Sequence, residues 1–187
     1  YNPEKLSYFA ALNLIGNAMR RLFFLFIFLL FFCRYGYSEN SRFYDSGQLT
    51  CNLMTTICQD ARGFVWIGTE YGLNKFDGVQ FTQYLNKEND ATSLLGNIVR
   101  ELFVDRDQRL WVGCSNGLQY YLPEKDVFCT VPFEENLTPS VAEIVQLQNG
   151  EIWLVATGRG LFKVDRENNK VVALGEINKI CGTQSIN

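Results

Sequence analysis

From residue 53 onward the chain alternates short apolar runs with small polar clusters. The first set comprises Leu53–Cys58, Phe64–Gly68, Leu73–Phe76 and Val79–Leu85, separated by Asp, Asn and Gly. Runs this short, rich in β-branched and aromatic residues, predict strands; an amphipathic helix needs a longer stretch at a 3.6-residue period. Within Phe64–Thr69 both alternating sets, Phe64/Trp66/Gly68 and Val65/Ile67/Thr69, are largely apolar, which predicts a strand covered on both faces.

The pattern then returns. QDARGFVWIGTEYGLNKFDG at residues 59–78 is followed by VDRDQRLWVGCSNGLQYYLP from Val104 and QLQNGEIWLVATGRGLFKVD from Gln146. Trp66, Trp111 and Trp153 stand 45 and 42 residues apart, an interval typical of propeller blades and related arrays. A short turn precedes each tryptophan: Asp60-Ala61-Arg62-Gly63, Asp105-Arg106-Asp107-Gln108 and Leu147-Gln148-Asn149-Gly150. Turns of that length join antiparallel strands, so each repeat predicts a four-stranded meander, and a blade sandwiched by its neighbours meets the need for cover on both faces.

The expected fold is therefore all-β, a β-propeller of four-stranded antiparallel blades, with about three blades present. Blade 1 is assigned to 53–97, blade 2 to 98–140 and blade 3 to 141–174. A lead-in strand at 39–52 precedes them, with Arg42–Asp45 extended and closing the ring as an outer strand of its last blade. Residues 175–187 open a further blade. Gly72, Gly117 and Gly160 each precede a leucine, where the turn between second and third strands calls for positive φ. Gly68 and Gly113 lie within strand, which points to close approach of a neighbour. The third repeat has Val155 in place of that glycine, and Trp153 to Gly160 is one residue longer than its counterparts, which predicts a bulge or a longer turn there.

The run Asp60-x-x-Gly63-x-x-Trp66-Ile67-Gly68-Thr69-x-x-Gly72-Leu73-x-x-Phe76-Asp77 resembles the two-component regulator propeller repeat of the exported sensor region of bacterial hybrid two-component systems. The second repeat keeps Asp105, Trp111, Gly113, Gly117 and Leu118 but has Gln108 at the turn glycine. The third keeps Gly150, Trp153, Gly160, Leu161 and Asp165. The resemblance covers residues 42–174. It implies a periplasmic ligand-sensing region of a sensor histidine kinase anchored in the inner membrane, responding to breakdown products of complex carbohydrates. Its implied partners are a small-molecule or oligosaccharide ligand, the remaining blades and downstream domains of the same polypeptide, and a second copy in a homodimer. The alternative is the non-catalytic propeller of an exported polysaccharide lyase or hydrolase.

Residues 19–38, MRRLFFLFIFLLFFCRYGYS, have the order of a secretory signal peptide: Arg20 and Arg21, an apolar run Leu22–Cys33, and small residues Gly36 and Ser38 before a cleavage point at Glu39. Twelve apolar residues at about 1.5 Å each fall short of a hydrocarbon core of roughly 30 Å. Residues 1–18 begin on Tyr1 and read as sequence upstream of the true coding start. Once 1–38 are set aside, 13 Lys and Arg face 19 Asp and Glu, net −6, a poor balance for binding nucleic acid.

Little in the sequence supports catalysis. There is no histidine, and Glu134-Glu135 are neighbours with nothing to fix their separation. Gly158-Arg159-Gly160 lacks the helix and the Lys-Ser/Thr of a phosphate loop, and Asp105-Arg106-Asp107 lacks the downstream carboxylate of a calcium loop. No catalytic residue, cofactor or metal is assigned. The cysteines match no zinc spacing, and Cys58 and Cys114 read as small buried hydrophobes. The candidates for ligand contact are the residues that vary on the repeated frame, in the turns between second and third strands: Glu70, Tyr71, Asn116 and Arg159. Tyr71 offers a stacking surface and the others hydrogen bonds for hydroxyl or acidic groups.

Overall fold

The computed structural model describes residues 48–180, which fall within one of the chain's two compact units, Tyr44–Asn187. The leader expected at 19–38, the segment 1–18 and the closing strand expected at Arg42–Asp45 lie outside the described residues. Three four-stranded antiparallel sheets follow one another. Blade 1 holds β1 (Met54–Gln59), β2 (Val65–Thr69), β3 (Gly72–Phe76) and β4 (Phe81–Tyr84). Blade 2 holds β5 (Val99–Val104), β6 (Leu110–Cys114), β7 (Gly117–Leu122) and β8 (Val127–Val131). Blade 3 holds β9 (Val141–Gln146), β10 (Ile152–Ala156), β11 (Gly160–Asp165) and β12 (Lys170–Ala173). Within each sheet the strands pair in chain order. The first strands β1, β5 and β9 neighbour one another, so each blade runs from the inside of the array outward. This is the architecture of propeller blades.

The alternation along each strand divides its side chains between two faces. Trp66, Leu73 and the aliphatic part of Lys75 lie on the face of blade 1 turned to blade 2, where Leu102, Leu110, Val112, Tyr121 and Phe128 meet them. Trp111 and Leu118 repeat this between blades 2 and 3, against Ile144, Ile152, Leu154, Phe162 and Val171. The core is therefore two slabs between sheets. We call the Trp-bearing side the trailing face of a blade and the opposite side its leading face.

The strand glycines permit that contact. A Cβ on Gly68 would lie 2.6 Å from Thr56 Cγ2 and 2.7 Å from Val99 Cγ1, and one on Gly113 2.9 Å from Val141 Cγ1. The first residue of each following inner strand thus fits into the notch left by the glycine before it.

Several expectations are refined. Val79 and Gln80 belong to a turn: Asp77 accepts both backbone N–H groups at 2.8 Å, and Val79 is 75% exposed. Among residues 48–52 there is no strand. Gly175–Ile180 forms a short helix, α1, whose Asn178 bonds both backbone groups of Leu161. The third repeat has the longer turn, three residues between Ala156 and Gly160 against two between Thr69 and Gly72. Its register shift is no peculiarity, because all three inner pairs carry one, at Met54/Thr56, Val99/Glu101 and Val155/Ala156.

Candidate functional site

The turns between second and third strands and the connections entering each blade lie at one end of the array. Glu70 N–H donates to Leu53 C=O, Ser115 N–H to Ile98 C=O and Thr157 N–H to Ser140 C=O, at 2.8–3.0 Å, tying each turn to the lead-in of its own blade. Gly72 N–H reaches Asn97 C=O at 2.6 Å on the way into blade 2. Buried amides hold the connections in place. Asn74 bonds Thr50 through both ends of its carboxamide, and Gln119 accepts from Leu95 N–H at 2.6 Å while donating to Ser93 C=O. In blade 3 Phe162 occupies this register and Phe133 of the connection packs on it, ring centroids 5.4 Å apart. These pins carried a signal that the sequence reading passed over, a polar residue two places after the glycine that opens the third strand, Asn74 and Gln119.

The four candidate residues fall on this end in different states. Glu70 forms an ion pair across the blade boundary with Arg100 of β5, 2.7 Å, both partners more than a third exposed. Arg100 itself escaped the sequence reading. Tyr71 is 54% exposed, its N–H bonded to Thr69 Oγ1, which in turn donates to Gly72 C=O. Arg159 is exposed at the tip of the longer turn. Asn116 is different: its amide donates to Leu95 C=O at 3.1 Å and its side chain rests against Gly96, so it braces the connection. Glu70 and Tyr71 are adjacent in the β2–β3 turn. A concavity of about 460 Å³ lies under the loop Asn86–Ala91 against Gln119 and Thr130, and one of about 700 Å³ lies between Arg106, Gln146, Glu151, Lys163 and Arg166; none of the four lines either.

The other end holds the repeat's signature. Asp60 Oδ1 accepts the N–H groups of Arg62 and Phe64, and its Oδ2 accepts the Trp66 indole N–H at 3.1 Å. Asp105 repeats this with Arg109 N–H and, at 2.9 Å, Trp111. The spacing Asp-x-x-Gly-x-x-Trp thus exists because one carboxylate closes the turn and orients the buried indole. Burial pulls Asp60 upward, but the bonds from Trp66, Arg62 and Phe64 outweigh it and hold its carboxyl below the usual range. In blade 3 Leu147 replaces the aspartate, and Glu151 takes the Trp153 N–H at 3.1 Å together with Lys163.

At the outer seam of blades 1 and 2, Lys75 Nζ sits 5.2–5.7 Å from the ring centroids of Phe64, Trp66, Tyr84 and Tyr121. Asp126 accepts the hydroxyls of Tyr84 and Tyr121 at 2.6 and 2.5 Å. Burial, then the bond to Asp126, pushes Tyr121 up to about 12. Cys114 is buried and its thiol is likewise pushed up to about 12, chiefly by burial, as is that of Cys58. Cys51, Cys58, Cys114 and Cys129 are all free thiols.

The model of the two-component regulator propeller family matches residues 48–71 and 93–116. A histidine kinase of Formosa agariphila is 35% identical over 101 residues, half of this chain and 7% of that protein. Among solved structures, the extracellular domain of a hybrid two-component system from B. thetaiotaomicron aligns at TM-score 0.63 and 28% identity, over 71% of this chain and 20% of the other. A second extracellular domain from that organism, described as belonging to a one-component system, aligns at TM-score 0.56 and 22% identity, over 66% of this chain and 18% of the other. The chain thus spans a small part of the proteins it matches. Each matched segment runs from the connection entering a blade to its β2–β3 or β6–β7 turn, the same unit that the geometry picks out. Residues 48–71 and 93–116, in the first two blades, thus match the two-component regulator propeller repeat, and the three sheets have the fold of its blades.

Proposed function

We propose that this chain is part of the exported, ligand-sensing propeller of a membrane-anchored hybrid sensor histidine kinase that answers to an oligosaccharide. The observation that carries the reading is the 28% identity, at TM-score 0.63, to the extracellular domain of a hybrid two-component system. Export is supported by the leader-like order of residues 19–38, and recognition by the turn end, where Tyr71 and the Glu70–Arg100 pair stand exposed on a repeated frame. An exposed tyrosine can stack on a sugar ring, and a guanidinium can bond its hydroxyl or carboxylate groups. Signalling further requires that the ligand bind one conformation of the whole receptor better than another, because equal affinity for both shifts nothing.

Calorimetry of the complete exported region against a panel of oligosaccharides, beside a transcriptional reporter that depends on the kinase, tests this. Binding accompanied by reporter induction is the expected result. Binding without a response, or a reading frame that encodes no kinase, overturns the sensor assignment.

A further inference from the structure

We propose that Asn149-Gly150, in the β9–β10 turn, is a site of spontaneous covalent modification in the native protein, where the asparagine converts through a succinimide to aspartate and isoaspartate. The chain carries a second pair of the same sequence, Asn116-Gly117 in the β6–β7 turn. Glycine has no side chain to shield its nitrogen, so both pairs have the local chemistry. Tertiary structure separates them.

Asn149 is exposed, and its carboxamide bonds only within its own turn: Oδ1 accepts the Glu151 N–H at 3.1 Å and Nδ2 donates to Glu151 Oε2 at 3.0 Å. It can rotate onto Gly150 without moving a sheet. The Gly150 N–H is held by Leu147 C=O at 3.0 Å, a bond that opens with the turn alone. A packed neighbouring blade leaves this position in solvent, since its equivalents beside filled seams, Arg62 and Asp107, keep side chains 44% and 62% exposed. Asn116 is held instead. Its Nδ2 donates to Leu95 C=O at 3.1 Å and its Oδ1 is buried against Gly96, so the connection entering blade 2 must lift before the side chain can turn. Its buried Oδ1 has no donor among the described residues, and a carboxylate there would be uncompensated.

In the reaction the Gly150 nitrogen gives its proton to solvent base and bonds to Asn149 Cγ; the Cγ–Nδ2 bond breaks and ammonia leaves with a proton from solvent. Water then opens either carbonyl of the ring. The product has a carboxylate where Asn149 Nδ2 had donated to Glu151, the residue that also holds the Trp153 indole N–H at 3.1 Å and Lys163 at 3.1 Å. Like charges then face each other, and the tie between turn and tryptophan in blade 3 loosens.

Incubation of the complete native protein at mildly alkaline pH, with peptide mapping by mass spectrometry and enzymatic methylation to locate isoaspartate, tests the proposal. Asn149 should convert at least about tenfold faster than Asn116, the ratio set by the opening that Asn116 requires. In urea the two rates should converge. Hydrogen exchange in the β9–β10 turn should be faster in Asn149→Asp than in the parent. Equal rates in the native protein, or a native Asn149 that converts only after unfolding, overturns the assignment. A difference of the same size in urea overturns its structural cause, and unchanged exchange in Asn149→Asp overturns the consequence drawn for Glu151.

Discussion

Asp60 shows how one side chain joins a turn to a core. It terminates the β1–β2 turn through two backbone N–H groups and satisfies the buried Trp66 indole, a donor that would otherwise be left unbonded. Replacing Asp60 by Ala should cost about 2–3 kcal/mol, the penalty of orphaning buried donors, measured by urea unfolding of the complete propeller region. The carboxyl is held below its ordinary value when folded, so its stabilisation is present in full above the unfolded pKa near 4 and is lost as pH falls through the folded one. The stability gap between the native protein and Asp60→Asn should therefore narrow as pH falls below about 4. Gln108 is the converse case. It occupies the turn position of Gly63 and Gly150 with φ of 63°, a left-handed conformation that costs a side chain energy. Gln108→Gly should raise stability by about 0.5–1 kcal/mol, less than the relieved strain because glycine loses more freedom on folding; a melting temperature at or below the parent's would contradict this.

Between elements, fit and pinning decide the register of one blade on the next. Gly68→Ala places a methyl group 2.6–2.7 Å from Thr56 and Val99, so blades 1 and 2 must separate slightly. Overpacking of this kind costs roughly 1–3 kcal/mol, and thermal melts should show it without change in the isolated-strand signature by circular dichroism. Gln119 governs a connection instead. With Leu95 N–H and Ser93 C=O both bonded to it, Gln119→Leu should speed hydrogen exchange at the Leu95 amide far more than at β6. Equal acceleration in the two places would show that the residue supports the whole blade and not the loop.

The described array ends on two open faces. On the leading face of blade 1, Ile57 is 68% exposed, whereas its register equivalents Leu102 and Ile144 are 4% and 2% exposed. Residues 48–180 expressed alone should therefore associate through these faces, seen in light scattering as a mass that rises with concentration. A monomer with a sharp cooperative melt would contradict that expectation. A complete propeller, in which neighbouring blades cover both faces, should by contrast be monodisperse.

The spacing of Trp66, Trp111 and Trp153, the short apolar runs and the Asp and Gly of the turns were enough to specify four-stranded blades and their order, since strand pairing between neighbours in sequence is a local matter of alternation and turn chemistry. The repeat also marked which residues vary, and so pointed to Glu70, Tyr71, Asn116 and Arg159. Which of them face solvent depended on tertiary structure. Asn116 and Tyr71 occupy the same place in equivalent turns, immediately before Gly117 and Gly72, yet Asn116 braces Leu95 and Gly96 of the connection entering its blade whereas the Tyr71 side chain is 54% exposed. Arg100, Gln119 and the Lys75 cage were decided in the same way. Glu70 opposite Arg100, Ser93 and Leu95 on Gln119, and the Tyr121 ring over Lys75 lie 24 to 46 residues away along the chain, and no local pattern records a contact that exists only once the blades and their connections are packed together.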